Sequence, residues 1–271
     1  MSATALSKII SEADVQTYER DGVVCLRQVI DKSWIERLRR AAEQVLSAPS
    51  EGAALLGRNT SSGRFRRDRF LWTFNDTFKA FAHESPLPAI AARAMRSEAA
   101  YLMLDLIFSK EAHSDIRTPW HHDQPYAWYD GSQVCQFWIP LDHVDIESGV
   151  LELVRGSHRW GKWFNPISFT DSSSESDEFH ELPDIEANRS EYDIVHFDME
   201  PGDCLLFSEL TLHAAPGNAS DRERHGVAVH YAGDNARYTT RKHYRPPSRD
   251  PGIKPGDPFG CDLFPRVWPR R

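Results

Sequence analysis

The sequence predicts a mainly β protein in which the helices come first, with a helical N-terminal part over residues 1–98 and a compact double-sheet β core over residues 99–235. Two observations carry this. From residue 100 onward, short runs rich in β-branched and aromatic residues follow one another, separated by glycine, proline and asparagine turns, the pattern of a sandwich or barrel. Before residue 100 the apolar residues recur at helical spacing. The 271 residues are 40% hydrophobic and 27% charged, ordinary globular values that exclude disordered and collagen-like classes. A chain of this length buries a core of its own, with no need of a disulfide or structural metal.

The elements follow in order. Ser11 and Asp14 form a capping box ahead of Val15 and Tyr18, and Asp21-Gly22 ends that helix. Val23–Leu26 is a short strand. A second capping box at Ser33–Glu36 opens a helix whose apolar face is Trp34, Leu38, Ala42, Val45 and Leu46, set to pack on a sheet. Residues 48–66 are polar and read as a loop, and a further helix runs from Ser85 to about Ser97 with Pro86 just inside its start. Strands are expected at Tyr101–Phe108, Gln133–Leu141, Val150–Val154, Ile194–Met199, Cys204–Phe207, Thr211–Ala214 and Gly226–Tyr231. Residues 160–193 form a lid-like insertion with an acidic, serine-rich run at 171–178. The tail from 236 to 271 holds seven of the 17 prolines and reads as irregular, pinned by Phe259, Phe264 and Trp268. The expectation is one domain over residues 1–271.

Composition also limits function. A net charge of −8 argues against a nucleic-acid partner. No apolar run approaches a membrane span, and the N-terminus has no secretory pattern. Four scattered cysteines, Cys25, Cys135, Cys204 and Cys261, form no Cys-x-x-Cys, and the three in apolar or mixed strand-like runs read as buried free thiols. A soluble, cytoplasmic protein, monomer or homodimer, is the resulting expectation.

The chemistry is concentrated in Thr118-Pro119-Trp120-His121-His122-Asp123-Gln124-Pro125-Tyr126. In a strand, positions i and i+2 share a face, so His121 and Asp123 project together and His122 points away. An imidazole and a carboxylate on one face, joined by a second histidine from another strand, make the facial triad of non-haem Fe(II) oxygenases. His196-Phe197-Asp198 repeats the spacing, but it sits in a paired-strand context before the Pro201-Gly202-Asp203 turn and reads as structural or solvent-facing. His213 fits the third ligand. Eleven residues later Arg224 opens a strand, where its guanidinium is placed to clamp a carboxylate by paired charge-assisted hydrogen bonds.

These pieces, in this order, resemble the phytanoyl-CoA dioxygenase family within the Fe(II)/2-oxoglutarate-dependent oxygenases. Tyr18–Gly22, Thr118–Asp123, Trp138–Asp142, Glu147–Leu151, Val154–His158, Pro201–Asp203, and His213, Asn218, Ser220 and Arg224 carry the likeness. The resemblance implies a double-stranded β-helix (jelly-roll) core with the N-terminal helices packed on one sheet. It implies His121, Asp123 and His213 as iron ligands, Arg224 as partner of the distal carboxylate of 2-oxoglutarate, and Trp138 as an aromatic beside it. It further implies Fe(II), 2-oxoglutarate and O2 as cofactor and cosubstrates, with hydroxylation of an unactivated C–H and release of succinate and CO2. Two positions depart from the family pattern. Ala215 stands where a serine is frequent, and Leu104–Phe108 lacks the glutamine or asparagine some relatives carry. A cupin-like metalloenzyme without 2-oxoglutarate, or a silent metal-binding module, are the alternative readings.

Substrate contacts are expected from Gln124, Tyr126, Trp128, Tyr129 and Trp72, and from Arg69. Arg69 belongs to a cluster with Arg58, Arg64, Arg66 and Arg67, which suits either an anionic group or a solvated loop.

Overall fold

A computed structural model describes residues 3–56, 63–166, 179–241 and 246–270. Among them are five helices: α1 (Ala3–Ile9), α2 (Glu12–Asp21), α3 (Lys32–Ser47), α4 (Asp76–Glu84) and α5 (Leu87–Ala94). The strands are β1 (Val23–Leu26), β2 (Ala54–Leu56), β3 (Phe65–Arg69), β4 (Ala100–Lys110), β5 (Thr118–His121), β6 (Tyr129–Asp130), β7 (Val134–Pro140), β8 (Glu152–Val154), β9 (Ile194–Val195), β10 (Cys204–Ser208), β11 (His213–Ala215), β12 (Arg224–Ala232), β13 (Arg237–Tyr238) and β14 (Arg266–Trp268).

The major sheet runs β1-β10-β7-β12-β4-β3-β2, with β14 also pairing β4, and the minor sheet runs β5-β11-β8-β9. Every pairing within them is antiparallel. These two sheets are the jelly roll.

The central strands of the major sheet are buried on both faces, which is why they read as nearly continuous apolar runs. Period-two alternation divides them. Met103, Ile107, Cys135, Phe137, Ile139, Leu206, Val227 and Val229 pack toward the helices. Leu106, Trp138, Leu205, Phe207 and Ala228 turn the other way, between the sheets. The helical layer on the first face presents Ile35, Leu38, Ala41, Ala42 and Val45 of α3, Phe78, Phe81 and Ala82 of α4, and nearly all of α5.

Several expectations change. The Ser11–Asp14 capping box forms as read. The one at Ser33 does not, because α3 begins at Lys32 with Asp31 before it and no side-chain cap. The 48–66 loop contains β2 and the start of β3, so the N-terminal part adds two strands to the expected β1 in the major sheet. The expected Ser85–Ser97 helix is α5, shorter at both ends, and α4 ahead of it was not anticipated. Ile194–Met199 keeps only two strand residues, although Met199 still bridges Val144. The tail is less irregular than expected, since β14 joins β4. The described parts of the 160–193 insertion place Phe164, Leu182, Ile185 and Tyr192 with Trp120, Val154 and Leu212, on the minor sheet's outer side. The acidic run 171–178 and Arg58 lie outside the described residues.

Candidate active site

Between the two sheets lies a cavity of about 1080 Å³ of atom-free space, counting its open mouth. His121, Asp123, His213, Arg224, Trp138, Tyr126, Trp128, Tyr129 and Arg69 all line it. Gln124 and Trp72 do not. Gln124 is buried and donates through Nε2 to the Gly131 carbonyl at 2.9 Å. Trp72 turns into the helical layer, its backbone N–H bonded to the Asp105 carboxylate and its ring 5.8 Å from His83.

Strand pairing assembles the triad. His121, the last residue of β5, lies opposite His213, the first of β11. The chain then leaves β5 with a bend, and Asp123 adopts φ −86°, ψ −31° at the head of a short 3-10 turn. The i, i+2 rule therefore predicts the right outcome by a different backbone path. One ligand atom from each of the three side chains lies within 4.8 Å of the others.

Each histidine is fixed from behind. Nδ1 of His121 meets the Pro119 carbonyl at 2.8 Å, and Nδ1 of His213 meets the Thr211 carbonyl at 3.0 Å. A carbonyl only accepts, so Nδ1 carries the proton in both, and each Nε2 offers a lone pair toward Asp123. Those Nε2 atoms lie 3.5 Å from the two carboxylate oxygens. Such lone pairs face one another at a distance that suits a shared cation and is long for a hydrogen bond. Burial and the neighbouring His121 push the His213 pKa down to about 4, which keeps its imidazole neutral and able to coordinate. Burial raises the Asp123 carboxyl, but His213 and His121 outweigh it and hold it well below the usual carboxylate range.

Further residues not anticipated from the sequence hold the carboxylate ligand. Gln136 on β7 donates to Asp123 Oδ2. The Glu209 carbonyl accepts the N–H groups of Asp123 and Gln124 at 2.9 and 3.2 Å, and the Glu209 side chain meets His230 Nδ1 at 2.6 Å. Both Glu209 and His230 are buried. Burial opposes charge on His230, but Glu209 holds its pKa up. The signal for Gln136 and His230 is a polar residue inside an otherwise apolar strand.

Arg224 begins β12 and is buried at 3% exposure. Its Nη2 donates to the Gly149 carbonyl at 2.6 Å, and Trp138 stands 5.3 Å from its guanidinium carbon. Burial pushes its pKa down to about 10. The turn before it is tied by Asn218, which donates to the carbonyls of Lys110, Glu111 and Arg222 and accepts from Ser220. That accounts for the asparagine and serine of the sequence pattern. A buried guanidinium held by carbonyls and an indole is costly alone and suits an anionic ligand.

Two further histidines stand outside the triad. His122 does point away from the triad, but it is buried, not outward-facing, and its Nε2 accepts the Phe164 N–H at 2.9 Å. His225 is half-buried against Asp142 at 2.9 Å. His196 and Asp198 are exposed, as read.

Known proteins of the same architecture include the non-heme alpha ketoglutarate dependent epimerase SnoN from nogalamycin biosynthesis, with TM-score 0.75 and 20% identity, covering 100% of both chains. The non-heme alpha ketoglutarate dependent carbocyclase SnoK of the same biosynthesis superposes at 0.78 with 22% identity, over 96% of this chain and 98% of its own. EctD from S. alaskensis, solved with 2-oxoglutarate and 5-hydroxyectoine, superposes at 0.69 with 17% identity, over 88% and 82%. A probable phytanoyl-CoA dioxygenase of Caenorhabditis elegans is 24% identical over 127 residues, which span 44% of this chain and 37% of that protein. The family profile described as phytanoyl-CoA dioxygenase (PhyH) matches residues 18–226. With most of its length matched, the chain belongs to the phytanoyl-CoA dioxygenase family.

Proposed function

We propose that this protein is a non-haem Fe(II)- and 2-oxoglutarate-dependent dioxygenase that hydroxylates an unactivated C–H of a small or medium-sized metabolite. The observation that carries the reading is the pairing, in one cavity, of a buried two-histidine, one-carboxylate cluster with a buried arginine that has carbonyls and an indole around it.

The donor set fits the metal. Two imidazoles and one carboxylate leave positions open, as Fe(II) oxygenases require, and no cysteine joins the cluster to favour a closed zinc site. His121, Asp123 and His213 would hold the iron, and Arg224 would pair with the distal carboxylate of 2-oxoglutarate, with Trp138 fixing the guanidinium's direction. When bound, iron and 2-oxoglutarate supply the oxidising power, with release of succinate and CO2. The chain's own residues do the rest. Gln136 and the Glu209 carbonyl keep Asp123 in place, the carbonyls of Pro119 and Thr211 hold a ring proton on Nδ1 and so turn each Nε2 to the metal position, and Leu104, Leu106, Phe108 and Phe207 keep water from the reacting centre.

SnoN and SnoK, an alpha ketoglutarate dependent epimerase and carbocyclase, and EctD, solved with 2-oxoglutarate, support the cosubstrate. They also define the alternatives to hydroxylation. We further propose that the chain works as a single domain in the cytoplasm. Its four cysteines are free, and no helix among the described residues is long and apolar enough to cross a membrane.

The test is anaerobic titration of Fe(II)-loaded protein with 2-oxoglutarate, watching for the weak visible charge-transfer band, beside His121→Ala. A band that saturates in the parent and is missing in the variant is expected. Iron binding without a band would overturn 2-oxoglutarate dependence. Once a substrate couples to succinate release, mass spectrometry separates the outcomes: gain of one oxygen for hydroxylation, no change for epimerisation, loss of two hydrogens for ring closure.

A further inference from the structure

We propose that His230 binds the substrate: its Nε2 takes a hydroxyl group of an uncharged, otherwise apolar molecule and so fixes which C–H bond faces the metal position. This rests on the oxygenase reading above and adds the substrate's chemical class and the residue that reads it.

Strand register divides the cavity into two ends. Arg224, Gly226, Ala228 and His230 share one face of β12, and Arg224, Ala228 and His230 line the cavity. Arg224 marks the cosubstrate end, with Trp138 beside it. Six residues on, about 20 Å along the strand, His230 marks the other end. A five-carbon cosubstrate anchored at Arg224 does not span that distance. One cross-strand row crosses this second end: Leu104 of β4, His230, Gln136 of β7 and Phe207 of β10. All four line the cavity. Gln136 donates to Asp123, and the Phe207 ring lies 5.0 Å from that of His213. His230 therefore stands in the row that touches the triad, on the side away from Arg224.

The imidazole is oriented from behind. Glu209 Oε1 meets its Nδ1 at 2.6 Å, both side chains are buried, and the Tyr129 phenol lies beside the same carboxylate. With Nδ1 so held, the opposite edge of the ring is what His230 presents to the cavity, and no described residue bonds to Nε2. His121 and His213 are each backed by a carbonyl and belong to the ligand cluster. His230 is backed by a carboxylate and lies outside that cluster. An open polar atom in a largely apolar cavity fixes the orientation of whatever fills it.

The surroundings select the partner. Nε2 donates or accepts according to where the proton shared with Glu209 sits, and a hydroxyl serves both states. Leu104 and Phe207 flank it in the row, and an ion placed against them would lose its hydration. An anion would also face Asp123 and Glu209, the carboxylates of this end. A site that bonds a hydroxyl in this way rejects the analogue that lacks it, because Nε2 is then left without a partner.

The experiment uses Fe(II)- and 2-oxoglutarate-loaded protein without oxygen. Binding of two matched series is read from tryptophan fluorescence, since Trp128 and Trp138 line the cavity. The first series is 2-tetralol, tetralin and tetralin-2-carboxylate; the second is 4-butylbenzyl alcohol, 4-butyltoluene and 4-butylbenzoate. The visible charge-transfer band is recorded in the same samples. In the parent, the alcohol of at least one series is expected to bind about tenfold or more tighter than both its hydrocarbon and its carboxylate. In His230→Leu that preference should fall to about twofold or less, while the band and the hydrocarbon affinity hold. His230→Gln keeps a polar end and should retain part of the preference. His230→Leu leaves Glu209 buried without its partner, so should it melt early, His230→Leu with Glu209→Gln removes the unpaired charge and carries the same expectation. The proposal is overturned if no alcohol outbinds its hydrocarbon, if a carboxylate outbinds its alcohol, or if the preference persists without His230. Loss of the band in both leucine variants would overturn it too, by showing a structural role. A parent that never shows the band, yet keeps a His230-dependent alcohol preference, would overturn the oxygenase reading alone.

Discussion

Arg224 shows how much of the site rests on single side chains. It is fully buried, its nearest described partners are two carbonyls and the Trp138 ring, and burial pushes its pKa down only to about 10, so it stays charged at neutral pH. Arg224→Gln should weaken 2-oxoglutarate binding by about two orders of magnitude, the scale of a buried charge-assisted pair, while iron affinity holds. Unchanged affinity in the charge-transfer titration would remove Arg224 from the cosubstrate site. His213→Ala is expected to do the reverse, losing iron itself, read by metal analysis after gel filtration; its neutral imidazole is a ligand, not a charge. At this scale the sequence was most legible where chemistry demands a residue type at a spacing, as in His121, Asp123, His213 and Arg224. It was least legible for Trp72 and Gln124, because an aromatic or an amide near a motif has no spacing rule that decides which way it turns. Gln136 and His230 were visible in principle as polar interruptions of apolar strands, but alternation alone does not say that Gln136 reaches Asp123.

Among the elements, β12 and β7 meet closely at Gly226. Gly226 lies opposite Pro140 and next in line to Arg224. A Cβ at Gly226 would come within 2.5 Å of Trp138 Cζ2 and 2.7 Å of its Cε2, so the indole lies directly on the glycine's backbone. Gly226→Ala must displace that ring. The expected cost is about 1–3 kcal/mol in urea unfolding, typical of an overpacked core, together with weaker 2-oxoglutarate binding as the Arg224–Trp138 contact shifts. A variant as stable as its parent would show that the ring has room to move. Elements were readable where one physical rule dominated. The apolar strands and the Ser11 capping box came through. The β2–β3 hairpin did not, because β3 is Phe-Arg-Arg-Asp-Arg, a run whose strand character comes from pairing with β4 and from the ion pairs of Arg66 and the Ser50 bonds of Asp68. Helix α4 was hidden for the opposite reason, since its nine residues are too few for a periodic face to stand out.

Across the whole molecule, the helical layer and the site are joined through the major sheet. The Gly22 carbonyl, at the end of α2, accepts from the Ser208 N–H and the Thr211 hydroxyl, each at 2.9 Å. The loop so held supplies the Glu209 carbonyl to Asp123 and the Thr211 carbonyl to His213. A second link is Asp105, fully buried on the helix-facing side of β4, which accepts the Trp72 N–H at 3.0 Å. Burial lifts its pKa to about 7, against an unfolded carboxyl near 3.9. Between those values the folded state binds the extra proton, so this group's contribution to stability is complete below about pH 4, declines as pH rises, and is lost above about pH 7. Asp105→Asn removes the titration and keeps a carbonyl oxygen for Trp72. The parent should therefore lose about 2–3 kcal/mol relative to the variant between pH 5 and pH 8, measured by urea unfolding at each pH. Equal pH dependence in the two proteins would mean that Asp105 is ionised throughout, its charge sustained by the backbone N–H groups of the turn it anchors.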